Sequence, residues 1–169
     1  IARMEERGVG LDVPRLIQVR DRIARIKAIA KDRAEAQLGG PLTREKLARR
    51  LDELGAPIKK RTPGKKLLVT DIDTLERIRS WNPPLIGAVI TYYRYEKLLP
   101  FPDTLLSLVD DDSRIRTNLN QFGHQQDDLD AAPATGRLSS SAPNLQQIPH
   151  SGDLFLAWWG RRLRRCLLP

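Results

Sequence analysis

Between Asp12 and Leu38 apolar side chains return at steps of three and four residues, as Leu16, Val19, Ile23, Ile26 and Ala30, and that spacing predicts one long helix over residues 12–38. Asp12 suits the N-cap, Pro14 fits the first turn, and Gly39-Gly40 closes the run. Arg15, Arg22, Arg25 and Lys27 lie on the opposite face, so the apolar stripe is narrow and suits an antiparallel helical partner. Such a partner follows directly. Thr43 caps a second helix over 43–54, with Leu47, Leu51 and Leu54 turned inward and Gly55 just past its end. The pair reads as a helical hairpin.

A third helix starts at Thr70 or Asp71, runs through Ile72, Leu75 and Ile78, and is broken by Trp81-Asn82-Pro83-Pro84. A fourth, over 85–99, sets Leu85, Val89, Tyr92 and Leu99 on one side and stops at Pro100. From Leu105 the pattern changes: Asp110-Asp111-Asp112 makes a turn, and residues 114–121 alternate in the manner of a short strand. Residues 161–169 read as an arginine-flanked apolar strand entering a sheet, with Cys166 in its core. The chain is therefore expected to be mainly α, with a helical module over 1–100, a linker over 101–113, and the start of an α/β segment over 114–169.

The chain carries 29 Lys and Arg against 21 Asp and Glu, a formal charge of +8, which favours a polyanionic partner, nucleic acid first. Residues 59–66 concentrate this charge, as Lys59, Lys60, Arg61, Lys65 and Lys66 surround a Pro63-Gly64 turn that can follow a phosphate backbone. Cys166 is the sole cysteine, which excludes a disulfide framework within the chain and a cysteine metal cluster, and fits a reducing, cytoplasmic setting. No apolar run reaches the length of a membrane span, and Ile1-Ala2-Arg3-Met4-Glu5 lacks the layout of a signal peptide. Starting on Ile rather than Met, the sequence suggests residues upstream.

Residues 135–149 gather Arg137, three consecutive hydroxyls at Ser139, Ser140 and Ser141, Asn144, Gln146 and Gln147 between Gly136, Pro143 and Pro149. Such side chains supply hydrogen bonds to phosphate, sugar and base edges, although similar clusters also make ordinary polar turns. Asp110, Asp111, Asp112, His124, Asp127, Asp128 and Asp130 offer oxygen and imidazole ligands, but at spacings that match no metal loop. His150 reads as a surface residue, and no nucleophile and base pair is legible. The expectation is a chain without catalytic or metal-binding residues of its own.

In order and spacing, Thr135-Gly136-Arg137-Leu138-Ser139-Ser140-Ser141-Ala142-Pro143-Asn144-Leu145-Gln146-Gln147-Ile148-Pro149 resembles the signature segment of family A DNA polymerases, the bacterial DNA polymerase I type. Residues 4–12 are similar to the family's entry into its polymerase domain, and Leu51-Asp52-Glu53-Leu54-Gly55 with Thr62-Pro63-Gly64-Lys65 resembles its helical thumb. Tyr93-Arg94 followed by Lys97-Leu98 is similar to the thumb's returning helix, with the lysine one position early, and Asn120-Gln121 matches a pair on the strand before the signature. The resemblance implies a thumb-like module followed by the start of a palm. It also implies roles: Arg137 in the minor groove near the primer end, Asn144 and Gln147 on template or primer sugars and bases, Thr135, Ser139 and Ser140 on the DNA backbone, Asn120 and Gln121 beside them, and Lys65, Lys66 and Lys97 on phosphates.

The sequence departs from the family at Ala142, where aspartate is usual, and at Gln147, where asparagine is usual; residues 122–133 and 150–159 are longer than the usual connections. The family transfers nucleotides with two divalent metals held by palm aspartates, and the first of those motifs is expected just beyond Pro169. The chain is thus expected to bind primer-template DNA and position it for nucleotidyl transfer, to contain no cofactor site, and to be inactive alone; Mg²⁺ and the palm and fingers, which a separate chain could supply, belong to the complete polymerase. The alternative is a non-enzymatic duplex-binding or assembly protein built on a thumb scaffold, with Trp158 and Trp159 as partner anchors unless both pack on the helices.

Overall fold

The computed structural model describes residues 2–64, 67–120, 139–141, 143–145, 148 and 154–168. In chain order its elements are α1 (Ala2–Arg7), β1 (Val9–Leu11), α2 (Val13–Leu38), α3 (Arg44–Glu53), α4 (Ile72–Arg77), α5 (Pro83–Leu98), α6 (Pro100–Ser107), β2 (Arg114–Ile115), β3 (Asn118–Asn120), β4 (Ser139–Ser141), α7 (Leu154–Arg164) and β5 (Leu167–Leu168). The fold is mainly α. The chain divides into two compact units, one of residues Arg22–Leu99 and one combining Ile1–Asp21 with Pro100–Pro169.

The sequence marks the ends of α2, whose first turns belong to the other unit, and of the helices of the Arg22–Leu99 unit. The Asp12 carboxylate accepts the Arg15 N–H at 3.1 Å to start α2, and the Gly40 N–H returns to the Glu35 carbonyl at 3.1 Å to close it. Thr43 Oγ1 accepts from the Lys46 N–H at the head of α3, and the Ala56 N–H reaches back 2.8 Å to the Leu51 carbonyl past Gly55, whose φ is +71°. Asp71 accepts the Thr74 N–H at 2.7 Å to cap α4, and these bonds hold its carboxyl below the usual value of 3.8. Asn82 caps α5, so that Pro83 and Pro84 occupy its first turn and start the helix earlier than residue 85.

These caps aim the apolar faces at one core, which joins Ala34 and Leu38 of α2, Leu47 and Leu51 of α3, Leu75 of α4, and Leu85, Ile86, Val89 and Tyr93 of α5. Each fully buried leucine there contributes about 1.5–3 kcal/mol of transfer free energy. Two side chains depart from the sequence reading. Leu54 is 41% exposed, because it is the C-cap of α3 and has left the helical face. On α5 it is Tyr93 that is buried, while Tyr92 lies half-buried, hydrogen-bonded through its hydroxyl to Glu96 at 2.8 Å with the Lys27 ammonium 5.5 Å from its ring.

In the other unit β1 is the central strand of an antiparallel three-stranded sheet ordered β2-β1-β5, with Val9 opposite Ile115 and Leu11 opposite Leu167. Leu16, Ile115, Trp159, Leu163 and Cys166 are buried in this unit. The alternating stretch read as one strand over 114–121 is split: β2 joins this sheet, whereas β3 pairs with β4 in a separate two-stranded sheet. Residues 161–169 are likewise not one strand. α7 runs to Arg164 and only Leu167–Leu168 is extended, because Trp159 and Leu163 repeat at a helical step and the arginines sit in the last turn, where the helix dipole favours cations. Cys166 lies in the intervening turn, its thiol 3.4 Å from the Arg162 carbonyl, and burial pushes its pKa up.

Candidate nucleic-acid interface

The described part of the polar 135–149 segment is held against β3. Asn118 pairs with Ser141, Leu119 with Ser140 and Asn120 with Ser139, antiparallel. Beyond β4 the chain turns at Pro143, and two hydroxyls fix the turn. Thr117 Oγ1, buried, donates to the Pro143 carbonyl at 2.7 Å; Ser140 Oγ, also buried, accepts the Leu145 N–H at 3.1 Å and donates to Asn144 Oδ1 at 3.4 Å. Asn144 itself is exposed. Further on, Ile148 is buried and its carbonyl accepts from Arg164 of α7 at 3.5 Å. The segment thus alternates buried, anchored residues with the exposed Asn144.

In the Arg22–Leu99 unit the basic stretch folds back on itself. The Thr62 N–H donates to the Leu67 carbonyl at 2.7 Å, the Val69 N–H to the Lys60 carbonyl at 3.0 Å, and Arg61 bridges Leu68, with Gly64 at φ +83° in the turn. Arg61 is drawn to α3, where its two terminal nitrogens meet both Asp52 oxygens at 3.0 and 2.8 Å. That fork holds the Asp52 carboxyl below its usual range. Lys59 and Lys60 remain exposed beside the turn, and Lys97 is exposed in the last turn of α5. Sequence reasoning grouped Arg61 with the other cations, since nothing in its neighbours reveals a carboxylate partner nine residues away.

Of the sequence-derived site residues, Asn144, Ser140 and Lys97 are described in full, and Asn120 and Ser139 by their backbones. Thr135, Arg137, Gln147, Gln121, Lys65 and Lys66 lie outside the described residues, as does the 122–133 insertion with His124, Asp127, Asp128 and Asp130. The 150–159 insertion is helical from Leu154 onward. There Trp159 is buried and meets the exposed Trp158 edge-on at 4.8 Å, while the Arg162 guanidinium stacks on the Trp158 ring.

Among the described residues no group of three or more His, Cys, Asp or Glu side chains is placed to hold a metal ion. The acidic turn does not fit one, because Asp110 and Asp112 both receive the Arg116 guanidinium, whose pKa they raise while it lowers that of Asp112. An apolar groove of about 560 Å³, including Ile26, Ile29, Pro84 and Gly87, separates α2 from α5. It contains none of the sequence-derived site residues.

Residues 17–169 match the family model described as DNA polymerase family A. The chain is similar to DNA polymerase I of Mycobacterium tuberculosis, with 33% identity over 97% of this chain and 17% of the relative. It is also similar to the thermostable DNA polymerase I of Thermus aquaticus, with 35% identity over 99% of this chain and 19% of the relative. A solved structure of the POL domain of Pol1 from M. smegmatis, in complex with DNA primer-template and dNTP, aligns with a TM-score of 0.72 and 30% identity, covering 98% of this chain and 27% of that one. The chain therefore spans less than a fifth of the length of these curated relatives.

Proposed function

Because the chain belongs to DNA polymerase family A, we propose that its 169 residues grip primer-template DNA and hold it for nucleotidyl transfer by the longer polymerase. The observation that carries this reading is the family match over residues 17–169, which takes in the whole 135–149 segment. It is supported by the likeness to a polymerase domain bound to primer-template and by the net charge of +8.

Roles follow from side-chain chemistry. Arg137 donates to the N3 and O2 acceptors that every base pair shows in the minor groove, so it reads the width and geometry of a pair without reading sequence. Asn144 and Gln147 add donors and acceptors for sugars and base edges, and Thr135, Ser139, Asn120 and Gln121 complete the polar lining. Lys65, Lys66 and Lys97, with Lys59 and Lys60 beside the Pro63-Gly64 turn, neutralise phosphates, whereas Arg61 is spoken for by Asp52. The transfer itself is assigned to Mg²⁺-binding carboxylates outside these residues. Asp110 and Asp112 serve Arg116 instead.

The test is fluorescence-anisotropy binding to a primer-template junction, a blunt duplex and a single strand across a salt series, with Arg137→Ala beside the parent. Junction preference, loss of that preference in Arg137→Ala, and a log-log salt slope of about −4.5, the value for roughly five neutralised phosphates, are expected. Equal binding to every polyanion, unchanged by Arg137→Ala, refutes the proposal. A primer-extension assay with Mg²⁺ and dNTPs is expected to give no product, and extension by the purified chain refutes the division of labour.

A further inference from the structure

We propose that Thr117 and Ser140 are positioning residues, which fix residues 143–145 and through them aim Asn144 at hydrogen-bond acceptors on the DNA; this rests on the primer-template reading above. Thr117 lies just before β3 and belongs to no part of the polar segment that suggested a DNA contact. It is nevertheless 8% exposed, and its hydroxyl is committed to the Pro143 carbonyl at 2.7 Å. Ser140 is 7% exposed, too deeply placed to lie on a phosphate. Its hydroxyl uses both of its capacities, accepting from the Leu145 N–H and donating to Asn144 Oδ1.

The two anchors act on either side of one exposed side chain. Pro143 is held by Thr117 just before β3, Leu145 is held from β4, and Asn144 between them is exposed. Ser140 holds Asn144 through Oδ1, and an asparagine amide carries donors and acceptors suited to sugar oxygens and base edges. A flexible asparagine would lose rotamer freedom at every encounter, and a side chain already oriented loses less. Buried hydroxyls spent on a surface turn are costly to leave unsatisfied, which keeps the arrangement single.

The experiment is junction binding by fluorescence anisotropy for the full chain and for Ser140→Ala, Thr117→Val, Thr117→Ser, Asn144→Ala and the Ser140→Ala/Asn144→Ala double variant, each checked by circular dichroism. Ser140→Ala and Thr117→Val are each expected to weaken junction binding roughly five- to tenfold, the factor of one net hydrogen bond. Thr117→Ser, which restores the hydroxyl, returns the affinity to within about twofold, inside the usual scatter of additive effects. In the Asn144→Ala background Ser140→Ala adds nothing, a non-additivity that a merely structural role does not produce. If Ser140→Ala loses its helical spectrum, the Thr117→Val and Thr117→Ser pair decides, because Thr117→Val keeps the side-chain volume while removing the hydroxyl and Thr117→Ser keeps the hydroxyl. Parent-like affinity in Thr117→Val and Ser140→Ala, or an undiminished Ser140→Ala penalty without Asn144, overturns the inference while leaving the DNA reading intact. A parent without junction preference overturns both.

Discussion

Replacing Gly8 by alanine tests the geometry that joins α1 to the central strand. Gly8 adopts φ +62°, and a Cβ built there lies 2.8 Å from the Ile115 carbonyl oxygen and 3.1 Å from Arg116 Cγ. The left-handed conformation alone costs an alanine about 1–2 kcal/mol. The contact adds to this, because ordinary carbon–oxygen contacts are about 3.3–3.6 Å and the obstructing oxygen is backbone. The Val9 to Ile115 pairing holds that oxygen in place, and Ile115 is fully buried, so neither side yields freely. Overpacking of this kind costs about 1–3 kcal/mol, giving a total of roughly 2–5 kcal/mol. Gly55→Ala is the matched control: its φ is +71°, but nothing lies within 4 Å of its Cβ, so only the conformational part applies. The change in unfolded-state entropy is common to both substitutions and cancels in the difference. Because the chain has two compact units, each variant is read by native-state hydrogen exchange at the most protected amides of its own unit, with urea unfolding alongside. Gly8→Ala is expected to be the more costly by about 1–3 kcal/mol, and a Gly8→Ala cost no larger than that of Gly55→Ala refutes the reasoning.

Trp159→Ala removes a side chain that is 1% exposed and is expected to cost about 3–5 kcal/mol; Trp158→Ala, at an exposed position, should cost under about 1 kcal/mol in the same urea series, and equal costs would contradict the packing of α7. Tyr92 is pushed up to about 12, first by burial and then by its hydrogen bond to Glu96. A raised value means that its stabilising contribution is complete below 10.0 and is lost as pH rises from there toward about 12; because burial also raises Tyr93, ultraviolet titration of the tyrosinate should show two late tyrosines, and Tyr92→Phe should remove one of them. Lys97→Ala should flatten the log-log salt slope of DNA binding by about 0.9 while leaving junction preference intact, and an unchanged slope would remove Lys97 from the phosphate set.

The helices of the Arg22–Leu99 unit were legible because their signals are local: Thr43, Asp71 and Asn82 each cap a turn three residues on, and the apolar faces repeat at helical steps. α6 escaped the reading because Pro100 and Pro102 look like helix stops, yet Pro100 is the first residue of a new helix, where its missing N–H costs nothing. α7 escaped because an arginine run around Leu163 has no clear period, and because Trp158-Trp159 can be read as extended or helical until the partner surfaces are known. The family resemblance, carried by residue order over 135–149, was legible where the geometry was not. Which hydroxyls are spent within the protein depends on pairings such as Thr117 with Pro143, 26 residues apart, and no periodicity encodes them.

The same distinction divides the chain's cations. Arginine answers the carboxylates that shape the fold, as Arg61 with Asp52, Arg116 with Asp110 and Asp112, Arg20 with Asp103 at 2.9 Å, and Arg94 with Glu76 at 3.1 Å. Its planar fork makes two bonds at once and is suited to fixed geometry, whereas an ammonium is a mobile point charge. Lys59 and Lys97 are exposed and make no hydrogen bond or ion pair among the described residues, so their charge is available to a polyanion. Two salt responses therefore separate. The exposed arginine pairs contribute little to stability and their screening shifts it little, while release of counterions from phosphates makes DNA affinity fall steeply over the same range. On the DNA-binding reading proposed above, salt should consequently strip this chain from DNA long before it loosens the fold.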